Sequence, residues 1–139
     1  MKISSSLENY LEIILELKAE HEIVRVTDIA KRLCVAKASV NRALGELKKV
    51  ALLEQQRYGT IVLTFEGESY AREVHGKHHL FYDFLSEVLG VSAQVAEKDA
   101  CKLEHVVSQE TIEKWVIFME QRGQEQKNRL CSTLKDQLH

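Results

Sequence analysis

A break of three residues between two short amphipathic helices is the feature that most restricts the fold of this 139-residue chain. In the stretch VTDIAKRLCVAKASVNRALGELKK, apolar residues recur at helical spacing before and after Cys34-Val35-Ala36. Thr27 is placed to cap the first helix, and the second helix is predicted at residues 37–49. Two helices joined by so short a turn predict a helix-turn-helix, although the glycine common in such turns is absent.

A β-hairpin is predicted directly after the second of these helices. Residues 52–56 and 60–63 are typical of two short strands, and residues 57–59 form the turn between them. A hairpin in this position is the wing of a winged helix. Together with a first helix predicted from Ser6, which could cap it, to about residue 18, the pattern predicts a winged helix-turn-helix DNA-binding domain over residues 1–66.

The remainder of the chain is predicted to be helical, because it contains no proline and the whole chain has only six glycines. The fold class is therefore mostly α with a small β wing, and residues 67–139 form a second, helical domain. The role of the C-terminal segment 124–139, predicted as a separate helix, does not follow from the sequence. The predicted helices are 65–89 after a Thr64 cap, 92–107, a helix after Ser108 with Ile112, Trp115, Val116 and Met119 inward, and 124–139.

The composition favours a cytoplasmic protein without a membrane span. No run of eighteen apolar residues is present, and the N-terminus lacks the apolar segment of a signal peptide. Three cysteines, an odd number, argue against a disulfide framework and for reduced thiols.

Positive charge is concentrated in the helix-turn-helix and the wing. Residues 25–57 contain eight basic and three acidic residues, a net charge of +5 in a chain whose total is −2. The second helix of such a motif enters the DNA major groove, and its exposed side chains contact bases and phosphates. On charge alone the segment equally fits a solvated helical surface. A winged helix used only for protein contacts is a further alternative, and DNA binding is the favoured interpretation. The predicted DNA-binding residues are Lys37, Ser39, Asn41, Arg42 and Arg57.

A second group of candidate functional residues lies in the stretch DACKLEHVVS. Cys101, Glu104 and His105 fall within roughly 100° of arc on one helix face, because successive residues turn by about 100°. Thiolate, carboxylate and imidazole together suit a divalent transition metal. Further ligands must come from elsewhere, and the candidates are His78 on the long helix and the pair Asn9 and Glu12, which share a face of the first helix.

Alternative interpretations of these residues stay open from the sequence alone. A helical cysteine is more often a small core residue than a ligand, and a Glu-His pair is more often a surface pair. A winged-helix regulator that ignores metal and responds to a small ligand or a partner is one alternative. A zinc hydrolase with Glu104 as general base is another, but nothing suggests a substrate cleft, so we expect the chain not to be an enzyme.

With these features in place, the chain resembles the metal-dependent repressors of the diphtheria toxin repressor and manganese transport regulator family. The resemblance extends from Ser4 to about Met119 and depends on the order and spacing of several motifs. It implies a homodimer whose subunits each carry an N-terminal winged helix and a helical dimerisation and metal-binding domain. The chain is expected to lack the SH3-like C-terminal domain of the iron-type members. The motifs are SSLENYLEII, VTDIAKRLCVAKASVNRALGELKK, VLTFEGE, KHHLFYDFLSEVLG and DACKLEHVVS.

The resemblance also implies a ligand set and a function. The family's ligand positions correspond to Asn9, Glu12, His78, Cys101, Glu104 and His105. Cys101 matches the iron branch and Asn9 matches neither branch, while Tyr82 and Glu97 replace ligands of the iron branch's ancillary site. Because a thiolate disfavours manganese, we expect Fe(II), with Mn(II) or Zn(II) as alternatives. The implied output is metal-dependent repression of metal-homeostasis genes through operator DNA, with no membrane and no small-molecule substrate involved.

Overall fold

The computed structural model describes the backbone of residues 2–138 and the side chains of residues 2–134, as six helices and one two-stranded sheet. It confirms a mostly helical chain with a small antiparallel wing. The chain divides into two compact units between Gly76 and Lys77, called here the first and the second unit. The domain boundary predicted after residue 66 stays a prediction. The elements are α1 (Ser5–Glu20), α2 (Val26–Leu33), α3 (Lys37–Lys49), β1 (Leu53–Gln55), β2 (Ile61–Leu63), α4 (Phe65–Asp83), α5 (Ala93–Val106) and α6 (Gln109–Leu138).

The first unit is built on a hydrophobic core that α1, α2, α3 and the wing share. Each helix contributes one apolar face, as the 3.6-residue period requires. Burial of these faces is the main force that holds the helix-turn-helix in place. The large side chains buried there include Leu11, Ile14, Leu17, Ile29, Val40, Leu44, Leu47, Leu52 and Leu53.

The turn between α2 and α3 is closed by a left-handed residue. Cys34 has φ 56° and ψ 44°, a conformation that glycine adopts more readily than any residue with a side chain. The backbone N–H of Val35 donates to the carbonyl of Ala30 at 3.1 Å. The turn therefore has the geometry of a glycine-type helix end although a cysteine occupies it.

The wing is a short antiparallel hairpin whose inner residues join the core of the first unit. Leu53 pairs with Leu63 in the strand register, and Ile61 N–H donates to the carbonyl of Val24 at 2.9 Å. At the tip, Tyr58 and Gly59 have φ angles of 66° and 76°, which produce the tight reversal. The wing tip itself faces solvent.

The junction between the wing and α4 depends on Thr64 and Gly67. Thr64 Oγ1 accepts from Gly67 N–H at 3.0 Å and donates to the Ala51 carbonyl at 2.7 Å, which confirms the predicted cap. A Cβ at position 67 would lie 1.7 Å from the carbonyl oxygen of Leu52, so only glycine fits there.

The second unit contains the end of α4, a π-helical turn at Phe84–Val88, and helices α5 and α6. Its core is a small cluster around Phe81, Ala100 and Ile112. The Trp115 ring contacts Phe81 and Phe84 edge-on, with ring centroids 4.8 Å apart in both cases. Gly90, with φ 73°, reverses the chain before Ser92, which is the N-cap residue of α5.

Several local predictions are wrong in detail. The N-cap of α1 is Ser4, which accepts from Leu7 N–H at 3.3 Å, while Ser6 lies inside the helix. Thr27 lies inside α2, whose first turn is closed instead by Asp28 accepting from the N–H of Arg25 at 2.9 Å. Val116, expected inward, is 37% exposed.

The C-terminal segment is a continuation of α6 through Leu138 and not a separate helix. One glycine, Gly123, lies within the helix without ending it. His139, the last residue of the helix predicted for that segment, lies outside the described residues. Among the helices that the structure describes, none is both long and apolar enough to cross a membrane.

Candidate metal centre and nucleic-acid interface

A buried carboxylate is at the centre of the candidate metal site in the second unit. Glu104 lies on α5 and is only 3% exposed. Its Oε2 is 2.9 Å from Nδ1 of His78, and its Oε1 is 3.1 Å from Nε2 of His105. A buried charge needs such partners, because removal from water penalises the ionised form.

Cys101 completes this group from the preceding helical turn. One ligand atom from each of Cys101, Glu104 and His105 lies within 4.8 Å of the others, so all three can face one point. The structure thus brings together the three residues that the helical spacing predicts to share a face.

The carboxylates around His78 change its acid-base chemistry. The hydrogen bond with Glu104 is the largest cause that raises the pKa of His78 to about 9, and Glu97 contributes to the rise while burial opposes it. Nε2 of His78 lies 3.0 Å from a carboxylate oxygen of Glu97. Both ring nitrogens of His78 therefore face carboxylates, and without a bound metal the imidazole is positively charged at neutral pH.

The chemistry of this group fits a divalent cation. Oε1 of Glu104 is buried and finds no donor in hydrogen-bond geometry among the described residues, although Nε2 of His105 is close. Such an orphaned oxygen beside two imidazoles and a thiol is a donor set that a metal ion would satisfy.

The two remaining predicted ligands lie on α1 in the first unit. Glu12 is buried and its Oε1 is 3.5 Å from Nδ1 of His75, while Asn9 is half-buried. Their membership of the ligand set stays a prediction.

The predicted DNA-binding residues are all exposed in the first unit. Helix α3 buries one face, formed by Val40, Ala43, Leu44 and Leu47, so its opposite face is available to a partner. Arg57 lies at the wing tip next to Tyr58, which is 87% exposed. The exposed predicted residues are Lys37, Ser39, Asn41, Arg42 and Arg57.

Three polar residues near these sites were not predicted as site members. Glu97 contacts His78 across two helices, and a local spacing rule cannot reveal such a pair. Glu16 and His75 lie close to Glu12 in the first unit. For Glu16 a signal existed, because Glu12 and Glu16 are four residues apart on one helix.

Two family models together match almost the whole of the chain. Residues 2–61 match the iron dependent repressor N-terminal DNA-binding domain, and residues 64–127 match the iron dependent repressor metal binding and dimerisation domain. The chain belongs to the diphtheria toxin repressor and manganese transport regulator family. It is a metal-dependent transcriptional regulator.

Curated relatives in this family are similar in sequence to this chain over most of its length. An uncharacterised helix-turn-helix transcriptional regulator of Methanocaldococcus jannaschii is 35% identical over 119 residues, which are 85% of this chain and 95% of the relative. The transcriptional regulator MntR of Escherichia coli O157:H7 is 36% identical over 117 residues, 84% of this chain and 75% of the relative. These relatives are regulators and not enzymes, which confirms the prediction that this chain is not an enzyme.

Solved structures of family members share the fold. The manganese regulator SloR matches with a TM-score of 0.74 and 28% identity, over 86% of this chain and 55% of that chain. IdeR of T. acidophilum matches with a TM-score of 0.72 and 25% identity, over the same shares. The chain thus spans about half the length of these two solved proteins.

Proposed function

We propose that this regulator is a repressor of metal-homeostasis genes that binds operator DNA as a homodimer when a divalent metal is bound. The observation that carries the proposal is the group that Cys101 and His105 form around the buried carboxylate of Glu104, with His78 beside it. A sensor of metal needs ligands that are assembled but not saturated by protein contacts. Oε1 of Glu104, which is buried and has no donor in hydrogen-bond geometry among the described residues, meets that condition.

The proposed metal is Fe(II), with Mn(II) or Zn(II) as alternatives. The thiol of Cys101 is a soft ligand that disfavours Mn(II), while the carboxylate and imidazoles accept all three ions. When bound, the metal supplies a positive charge that offsets the buried carboxylate and orders the ligands around it. We propose that Asn9 and Glu12 complete the ligand set, as the family resemblance implies.

The proposed dimer uses apolar surface in the second unit. Phe84, Trp115 and Phe118 line an open apolar cleft, and Phe118 is 47% exposed. Nε1 of Trp115 is buried without an acceptor among the described residues. A second copy of the chain is the proposed occupant, because the matching family model is described as a dimerisation domain and apolar patches of this kind mark interfaces.

In the proposed interaction with DNA, α3 enters the major groove and the wing contacts the backbone or the minor groove. Asn41 and Arg42 suit base edges, whereas Lys37 and Ser39 suit phosphates, and Arg57 extends the contact from the wing tip. A homodimer would read two half-sites about one helical turn apart or a multiple of it. Action on chromosomal DNA makes the cytoplasm the proposed location.

A DNA-binding assay with controlled metal tests this proposal. An operator is first selected from a random duplex library with anaerobic Fe(II), and fluorescence anisotropy then measures its affinity with Fe(II), Mn(II), Zn(II) or chelator. Metal should raise the affinity by roughly 5- to 150-fold, the usual range of allosteric coupling. Cys101→Ala and His105→Ala should remove that increase.

Two control variants remove the same chemical groups elsewhere. Cys131→Ala and His21→Ala change exposed residues outside the proposed site and should keep the metal response. Tight binding of the wild-type protein in chelator would contradict the switch and favour a regulator that answers to a small ligand or a partner instead. The order of the three metals in the same assay tests the preference for Fe(II).

A further inference from the structure

A second group of metal-ligating side chains lies entirely within the first unit. Glu12 and Glu16 on α1 and His75 on α4 each offer a ligand atom, and these atoms lie within 4.8 Å of one another. The group contains neither a thiol nor any of the four predicted ligands of the second unit. It therefore shares only Glu12 with the six ligands predicted for the site described above.

Helix geometry explains why the three side chains meet. Residues four apart lie on the same helix face, so both carboxylates of α1 point in one direction. His75 approaches from α4, with Nδ1 3.5 Å from Oε1 of Glu12. Glu12 is 7% exposed, while Glu16 and His75 are half-buried, so the group combines a fixed inner ligand with two outer ones.

The cationic side chains nearby each have another carboxylate partner. Nη1 of Arg32 lies 3.5 Å from Glu16, but its Nη2 lies 2.5 Å from Glu20. Arg32 can therefore keep its pair with Glu20 while Glu16 turns to a metal ion.

Two further cations close to the group are paired with one residue. Arg72 Nη2 is 2.6 Å and Lys18 Nζ is 3.1 Å from the carboxylate of Glu68, and the hydrogen bond with Arg72, followed by that with Lys18, lowers the pKa of Glu68. The positive charge of Lys18 and Arg72 is thus partly offset when no metal ion is bound. In these two ion pairs they contact Glu68 and not the three candidate ligands.

A surface cleft gives access to the group. The cleft has a volume of about 460 Å³, and its lining includes Glu16 and His75. A hydrated ion can reach Glu16 from solvent through the cleft and keep water molecules in its remaining coordination positions, while Nδ1 of His75 is buried beside Glu12.

We propose that Glu12, Glu16 and His75 form a second divalent-cation site in the first unit. Two carboxylates and water are hard donors that suit Mn(II), and the single imidazole is a borderline donor, in contrast to the thiolate-containing group of the second unit. Glu12 belongs to both ligand sets if the proposed function holds. The second site does not depend on that function, because its three ligands lie within one compact unit.

Counting bound Mn(II) in the full-length protein tests the site. In a titration followed by the electron paramagnetic resonance of free Mn(II), Glu16→Gln and His75→Gln should each bind one ion fewer per chain than the wild type. Neither substitution touches one of the six predicted ligands. Glu22→Gln and His21→Gln are matched controls at exposed positions of the same unit, outside the group, and should bind as many ions as the wild type.

Co(II) spectra distinguish this site from the other one. A thiolate ligand gives a sulfur-to-cobalt charge-transfer band, which should persist in Glu16→Gln and His75→Gln and vanish in Cys101→Ala. Absence of that band in the wild type would count against the thiolate site alone. Circular dichroism verifies the folding of each variant. If His75→Gln does not fold, the number of Mn(II) ions bound by Glu16→Gln alone tests the second site.

Two results would overturn the second site. One is an unchanged number of bound Mn(II) ions in folded Glu16→Gln. The other is an equal loss in Glu22→Gln, which would mean that diffuse negative charge, and not ligation, attracts the ion.

Discussion

Truncation of Phe81 should destabilise the second unit. Phe81 is fully buried in a cluster whose other buried members are Ala100 and Ile112, and its ring contacts Trp115 edge-on. Phe-to-Ala changes in cores lower the free energy of unfolding by about 3–5 kcal/mol. A unit of this size has a free energy of unfolding of about 3–9 kcal/mol, so Phe81→Ala should remove a third of it or more.

Urea denaturation of the metal-free protein measures this loss. Trp115 is the only tryptophan of the chain, so its fluorescence reports on the second unit, while circular dichroism reports on helices of both units. With a urea dependence of about 1 kcal/mol per molar for a small unit, the fluorescence midpoint should fall by roughly 3 M or the transition should disappear. All samples need the same protein concentration, because dimerisation would shift the midpoint.

Phe65→Ala is the matched control, since Phe65 is 85% exposed on the same helix. It should change the free energy of unfolding by no more than about 0.5 kcal/mol in either direction. A fluorescence midpoint in Phe81→Ala equal to that of the control would refute the assignment of Phe81 to the core of the second unit.

The remaining predictions concern the wing junction, the buried histidine and the DNA contact. Gly67→Ala should lower the free energy of unfolding by about 1–3 kcal/mol or more because the added Cβ meets backbone, whereas Gly76→Ala, with open space around it, should raise it by roughly 0.5–1 kcal/mol in denaturation curves. In metal-free protein, NMR titration should give His78 a pKa near 9 that returns toward 6.5 in Glu104→Gln. Because the folded-state pKa is the higher one, the stability that the protonated imidazole contributes is complete below pH 6.5 and is lost as the pH rises through 9. Arg42→Ala should weaken binding to the selected operator by about 1–3 kcal/mol and binding to random duplex by less, measured by anisotropy at fixed salt.

The helix-turn-helix and the wing could be predicted because each depends on local periodicity. The apolar positions of α3 define a single buried face, and the structure places this helix at the predicted residues Lys37–Lys49. The absence of glycine from the preceding turn argued against a helix-turn-helix, but the turn forms without it. Cys34 adopts the left-handed conformation at a cost of roughly 1–2 kcal/mol, and packing of the flanking helices outweighs that cost.

Helix ends were less predictable, because neighbouring residues offered equivalent caps. Ser4 and Ser6 carry the same hydroxyl, and only the backbone path decides which one accepts from the first turn. The boundary predicted before residue 124 falls directly after Gly123. A single glycine lowers helix stability by only about 1 kcal/mol, and α6 continues through it.

The candidate site was predictable where its residues share one helix. Cys101, Glu104 and His105 meet because the helix repeat brings them to one face, which spacing alone reveals. The contacts of His78 with Glu97 and of Glu12 with His75 join different helices. Such pairs depend on how helices pack, and a single sequence contains no direct signal for that.

The cysteine at the left-handed turn has a practical consequence for handling this protein. Cys34 is exposed on the turn that precedes α3, and Cys131 is exposed on α6. In aerated buffer such thiols are available for intermolecular disulfides, which would link chains covalently whether or not metal is present. Molecular-weight measurements therefore need a reductant or a Cys34→Gly, Cys131→Ala background, in which the glycine also relieves the strained backbone angle.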